Sequence, residues 1–226
     1  MPAGVPFHLG RGDTGPVQQS PVTCGSASLT VARMLVSPEF AGWVVDGIDP
    51  KGGPTDSRSQ SDRFAEYERT VMSRTNGLHA ADGSLNLPWP HSLGTPPWGA
   101  EKELGRAAAT QSADYAMRVV GFSSGTALRE AHQTLLGQVR EGLPALLYIG
   151  NTWMPRHVTL VLPGNRPSGD GPAGDRPTGD GPDGDGVLDV YDPASGSVTT
   201  LDPDRFATRT LGIAGWNVPW ITVHPR

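Results

Sequence analysis

Apolar residues recur along this chain in two different rhythms. Between residues 24 and 36 they fall at Cys24, Ala27, Val31 and Leu35, spacings of three, four and four. That period draws one apolar stripe, so residues 25–36 are read as a helix. Ser37-Pro38 ends it. A short helix and a Gly/Pro/Asp loop follow over 39–56. Residues 61–75 repeat the helical period, with Phe64, Tyr67 and Val71 on one face and Gly77 as the stop. Residues 77–99 are proline-rich and are read as an ordered surface loop forming one wall of a cleft. Residues 100–109 are read as helical. Residues 126–141 place Leu128, His132, Leu135 and Val139 at four, three and four, with Gly142 as the stop.

The second rhythm begins at residue 144. Short apolar runs at 144–149, 157–162, 187–191, 197–201 and 216–223 read as strands, joined by an earlier strand at 115–122. Helices fill the first half and strands the second. That segregation predicts an α+β fold, a helical half followed by an antiparallel sheet.

The length of 226 residues is enough for one sizeable core, and 1–226 is read as a single domain. The apolar fraction of 36% is low because the chain holds 30 Gly and 22 Pro. Many of these lie in 166–186, which repeats Gly-Asp-Gly-Pro and Gly-Asp-Arg-Pro. No packed core can form from that composition, so it is read as a disordered, low-complexity insertion in a hairpin. Its five-residue beat lacks the nine-residue period and the apolar position of calcium-binding repeats, which argues against calcium. The net charge is −5 and no basic run occurs, so no nucleic-acid partner is expected. No apolar run approaches the ~20 residues of a membrane span, so no membrane association is expected. Met1 to Gly10 lacks the cationic-then-apolar pattern of a signal peptide, and a cytoplasmic location is the expectation.

There is one cysteine, Cys24. An intramolecular disulfide and a Cys-rich zinc site are both excluded. Two readings remain: a small buried apolar residue, or a nucleophile. Its position favours the second. It directly precedes a helix, where unpaired N–H groups and the positive end of the dipole favour a thiolate. Gly25 would let a substrate approach the backbone. Gln18, six residues upstream, can donate its amide to an oxyanion beside the Cys24 N–H, with Gln19 the alternative if the turn shifts by one.

A Gln six residues before Cys-Gly, with a helix opening at the Cys, resembles the active site of papain-like cysteine peptidases. The chain is most similar to the bacterial branch that contains the bacteriocin-processing (double-glycine leader) peptidases and their stand-alone relatives. That branch carries Gln, Cys, a His opening a strand, and an Asp after the next strand, usually followed by Pro. Here His157 follows Met154-Pro155-Arg156 and opens the strand 158–162, and Asp192 ends Val187–Tyr191 in the run Tyr191-Asp192-Pro193. His157 and Asp192 are 35 residues apart, and removing 166–186 leaves 14. Two short antiparallel strands and a turn need about that many. Asp192 can then orient His157, and His157 can take the proton of Cys24. Leader peptidases usually precede a membrane transporter. This chain ends at Arg226 without one, which suggests a stand-alone member.

The resemblance implies a papain-like fold and a cysteine peptidase or amidase working through a thioester on a peptide or protein substrate, with no cofactor and no metal. An acyl transferase, transglutaminase or deamidase with the same site, an inactive peptidase-like binding module, and a toxin or effector acting on one protein stay open. Trp153 is a candidate for the cleft wall, with core packing as its other role. His132 lies on an apolar stripe and is read as a hydrogen-bonded core residue. His79 and His91, in the long loop, are read as solvated, with substrate contact open to either, and His8 and His224 lie near the termini. Asp189 and Asp202 compete with Asp192 for the orienting role. Arg11-Gly12-Asp13 is read as a chance tripeptide.

Overall fold

The structure is a computed structural model that describes residues 6–77, 89–90, 94–107, 113–139, 142–164 and 186–226. The insertion at 166–186 lies outside these residues except for Gly186, as do His79 and His91. The elements run α1 (Cys24–Val36), α2 (Pro38–Asp46), α3 (Gln60–Asn76), α4 (Pro97–Ala107), β1 (Tyr115–Val119), α5 (Gly125–Val139), β2 (Ala145–Gly150), β3 (Pro155–Val161), β4 (Leu188–Tyr191), β5 (Val198–Leu201), α6 (Pro203–Thr208) and β6 (Val218–Pro225). The fold is α+β, with most of its helices ahead of one antiparallel sheet of order β1-β6-β2-β3-β4-β5.

β2 explains the layering. Every residue of Ala-Leu-Leu-Tyr-Ile-Gly is buried. A central strand covered on both faces reads as such a continuous apolar run. Leu146 and Tyr148 face one apolar layer, shared with Leu29, Met34, Phe64 and Leu104 of α1, α3 and α4. Ala145, Leu147 and Ile149 face a second layer, built with Leu128 and Leu135 of α5 and Phe206 of α6. The sheet is therefore sandwiched between α1–α4 and α5–α6, and α1 packs on β3.

Local chemistry sets the element ends. Ser37 caps α2 by accepting from the Phe40 N–H, and Pro38 opens the helix. Arg63 of α3 is buried and donates to the carbonyls of Val44 and Val45 at 3.0 and 2.9 Å, closing the end of α2. Gly150 closes the β2–β3 connection, where a Cβ would lie 2.2 Å from the Met154 carbonyl oxygen.

The sequence pattern differs from the structure in three places. The helix expected over 100–109 begins earlier, at Pro97. The strand expected to open at His157 begins at Pro155, and His157 pairs with Ile149. Helix α6 was not expected. It has six residues, too few for a periodic stripe, but it carries standard start signals. Asp202 accepts from the Arg205 N–H at 2.8 Å, and Pro203 occupies the first turn. Phe206 anchors it, fully buried with its ring 5.6 Å from that of His132. Truncation of this ring leaves a cavity that α6 cannot fill. Phe206→Ala is therefore expected to cost about 3–5 kcal/mol in urea unfolding, with the site on the other face of the sheet retained.

Candidate active site

Cys24 opens α1. The residue before it, Thr23, sits at the N-cap with φ −105° and ψ 13° and makes no side-chain cap bond. Its hydroxyl instead donates to the Ser20 carbonyl at 2.8 Å and accepts from the Ser20 N–H at 3.1 Å. The N–H groups of the first turn, which have no intrahelical acceptor, are thus not taken up by a cap. Cys24 is a free thiol, 4% exposed.

The backbone beside the sulfur comes from the loop before α4. Gly94 has φ +72°, and a Cβ there would lie 3.9 Å from Cys24 Sγ and 3.0 Å from the Val22 carbonyl oxygen. Thr95 follows, wholly buried. Its Oγ1 is 3.2 Å from Ser26 Oγ, and its carbonyl accepts the Tyr148 hydroxyl at 3.0 Å. Of the surface loop expected over 77–99, Gly94 and Thr95 are instead buried and α4 begins at Pro97, while 78–88 and 91–93 lie outside the described residues. Gly25 has a different role from the one its sequence suggests. It is buried, and a Cβ there would lie 2.5 Å from Thr95 Cβ. The close approach it permits is that of Thr95, not of a substrate.

His157 comes from β3 and Asp192 from the turn after β4. The antiparallel register Leu160↔Tyr191 and Val161↔Val190 directs the chain after Tyr191 back toward the start of β3. His157 Nε2 and Asp192 Oδ1 are 2.7 Å apart, and both residues are buried. Cys24 lies close enough to the imidazole to favour its charged form. With Nε2 engaged by Asp192, Nδ1 is the nitrogen left for the thiol. Burial opposes a charge on His157, but Asp192 and Cys24 outweigh it and its pKa is pushed up to about 9. Burial likewise opposes the charge on Asp192. It is outweighed by His157, the Ala194 N–H at 3.0 Å and the Ser195 hydroxyl at 2.8 Å, which hold the carboxyl below its ordinary value.

Gln18 is tied to the same turn. Its N–H donates to the Pro193 carbonyl at 2.8 Å. Its side-chain amide is half-buried and donates to the Ser20 carbonyl at 2.8 Å, while Oε1 is buried without a partner. One Nε2 hydrogen is left over. Gln19 is exposed, and its amide donates to the Val17 carbonyl at 3.1 Å.

The competing residues have other duties. Asp189 accepts from Arg11 Nε at 2.6 Å at the surface, and Asp13 accepts from the Gly10 N–H at 2.8 Å. These bonds explain Arg11-Gly12-Asp13 as local structure. Asp202 caps α6. His132 is buried, with Nε2 3.0 Å from the Leu201 carbonyl oxygen, and burial lowers its pKa. His8 is exposed and His224 half-buried. Trp153 is 84% exposed on the β2–β3 connection. Asn151 Oδ1 accepts the N–H groups of Trp153 and Met154, and the Asn151 carbonyl accepts Trp220 Nε1 at 2.8 Å. Core packing is therefore not its role.

A cavity of about 490 Å³, lined by Arg33, Phe40, Trp43 and Tyr67, lies at the opposite end of α1 from Cys24. Gly94, Thr95 and Tyr148 were not singled out in the sequence, and nothing in its periodicity marks them. Glu68 was also missed. It had a signal: it lies four residues after Phe64 and three before Val71, a charge on an apolar stripe.

No family model matches the chain, and no curated protein matches it. Among solved structures the chain is similar to the peptidase domain of Streptococcus ComA, a bifunctional ABC transporter involved in a quorum-sensing pathway. The two share 13% sequence identity over 94% of this chain and 98% of that one, with a TM-score of 0.37. At that level no residue's role carries over from one to the other.

The geometry makes a pH prediction. His157 binds its proton more tightly in the folded chain than its unfolded value of ~6.5 allows. Its contribution to stability is complete below ~6.5 and lost as pH rises through about 9. Asp192 acts in the opposite sense, losing its contribution only as pH falls into the carboxylate range. The difference in melting temperature between the wild type and His157→Gln is therefore expected to be larger at pH 6 than at pH 9.5, read by thermal denaturation in matched buffers.

Proposed function

We propose that this protein is a cysteine-dependent hydrolase of the papain-like kind that cleaves a peptide or amide bond in a peptide or protein substrate. The observation that carries the reading is the buried imidazole of His157, held by Asp192 through Nε2, with the thiol of Cys24 at a helix start near enough to favour its charge. A core cysteine needs neither partner.

The chemistry follows from these groups. The His157 imidazole takes the thiol proton and forms an ion pair with the Cys24 thiolate. The thiolate attacks the substrate carbonyl carbon. Negative charge moves to the carbonyl oxygen, where the Cys24 N–H and the free Nε2 hydrogen of Gln18 stabilise it. The tetrahedral adduct collapses as His157 gives its proton to the leaving amine. A thioester remains on Cys24. His157 then removes a proton from water, the hydroxide attacks the thioester, and the acid product leaves as the thiolate returns. Asp192 keeps the imidazole oriented and stabilises its charged form throughout. Gly94, lacking a Cβ beside Sγ, keeps space open next to the sulfur.

The test is the rate of Cys24 alkylation by iodoacetamide from pH 4 to 9, in the wild type and in His157→Ala. The wild type is expected to react readily at about pH 6, well under the ~8.5 at which an ordinary thiol ionises. His157→Ala is expected to lose that low-pH reactivity by at least about tenfold. A thiol that stays inert in the folded protein, or reacts alike in both, would replace the hydrolase with a peptidase-like binding module.

A further inference from the structure

Glu68 lies on the buried face of α3 and is wholly inaccessible to solvent. Burying a carboxylate is costly unless its oxygens are well satisfied. Most buried acids meet a cation, but among the described residues no ion pair reaches Glu68. Its partner comes from the turn that carries the site. The Gln19 N–H donates to both carboxylate oxygens, at 3.2 Å each, and the Thr23 side chain lies near enough to act on the same charge, with its one hydroxyl hydrogen given to the Ser20 carbonyl. Tyr191 of β4 lies close enough to feel the same charge, as does Arg69 on the next position of α3.

The placement of these two residues is the informative point. Gln19 directly follows Gln18, and Thr23 directly precedes Cys24. Glu68 therefore holds, at its Gln19 end, the turn that separates the two groups flanking the developing oxyanion, and lies beside that turn at its Thr23 end. Within the turn the Thr23 hydroxyl is engaged by Ser20, so the first-turn N–H groups of α1 are kept from a side-chain cap.

We propose that Glu68 is a positioning residue that clamps the Gln19–Thr23 turn, so that Cys24 faces His157 and its backbone N–H stays open to substrate. This rests on Cys24 being the nucleophile. Phe64 and Val71, which flank Glu68 on α3, need only apolar surroundings, whereas a carboxylate at 68 is matched to the Gln19 N–H of this turn.

Iodoacetamide alkylation of Cys24 at pH 7 tests the clamp in four full-length proteins. Glu68→Ala is expected to slow the reaction on the order of tenfold or more, since small misplacements of reacting groups have effects of that size. Its pH profile is expected to approach that of His157→Ala. Glu68→Gln keeps an acceptor for the Gln19 N–H, so it is expected to stay within about threefold of the wild type. Phe206→Ala, destabilised on the other face of the sheet, is expected to react like the wild type below its melting range. Should Glu68→Ala not fold, Glu68→Leu, which fills the same space with an apolar side chain, takes its place. Wild-type rates in Glu68→Ala, or an equal loss in Phe206→Ala, would overturn the clamp and leave the nucleophile standing. A wild type inert with or without His157 would instead remove the nucleophile, and the clamp with it.

Discussion

The site depends on one imidazole bonded to a carboxylate and set near a thiol. His157 is buried, and a buried histidine ordinarily loses its proton because charge is poorly solvated there. Here two anionic or polarisable partners reverse that tendency. Asp192 supplies a carboxylate at 2.7 Å, and Cys24 supplies a sulfur. Neither partner alone belongs to the strand that carries His157. The arrangement therefore holds only if three parts of the chain meet: the start of β3, the turn after β4, and the start of α1.

The rest of the fold secures that meeting. β3 is fixed by pairing with β2, whose residues are buried on both faces, and by the connection that Asn151 closes through its own side chain. Asp192 is fixed by a tight turn in which its backbone N–H and carbonyl are both used, to Ser197 and Gly196. The segment leading to Cys24 is laid along that same turn. Gly15 donates to Gly196, Gln18 donates to Pro193, and the Tyr191 hydroxyl donates to the Pro16 carbonyl. A displacement of the Asp192 turn would thus drag Gln18 with it. Asp192 and Gln18, to which the proposed mechanism gives the orienting and oxyanion roles, are thus mechanically one unit.

Much of this was legible in the sequence because it follows from order and periodicity. The stripe Cys24, Ala27, Val31, Leu35 fixes α1, and the fully apolar run at 145–149 fixes a central strand. His157 and Asp192 were readable because each stands at the end of a strand-like run, and because excising a Gly/Asp/Pro stretch restores a hairpin length. What could not be read depends on contacts without period. Gly25 is glycine because Thr95, 70 positions away, occupies the place of its Cβ. Gly94 matters because it lies against the sulfur. Helix α6 is too short to show a stripe. Glu68 sat in view as a charge on an apolar face, but its partner Gln19 lies 49 positions away, and no spacing reveals it.

Thr23 shows how stability and chemistry compete at one residue. A threonine at an N-cap usually accepts from the second or third N–H of its helix, and losing that bond costs ~1 kcal/mol. Here the bond is absent and the hydroxyl serves the preceding turn instead. The helix is weaker at its first turn for it. The same choice leaves the positive end of the α1 dipole uncovered beside Cys24, where a thiolate and then an oxyanion would require it. The lost cap is offset by burial, since Cys24 through Ala32 are inaccessible along the whole inner length of α1. A helix anchored this firmly by packing can leave its first turn unsatisfied, which a marginal surface helix could not.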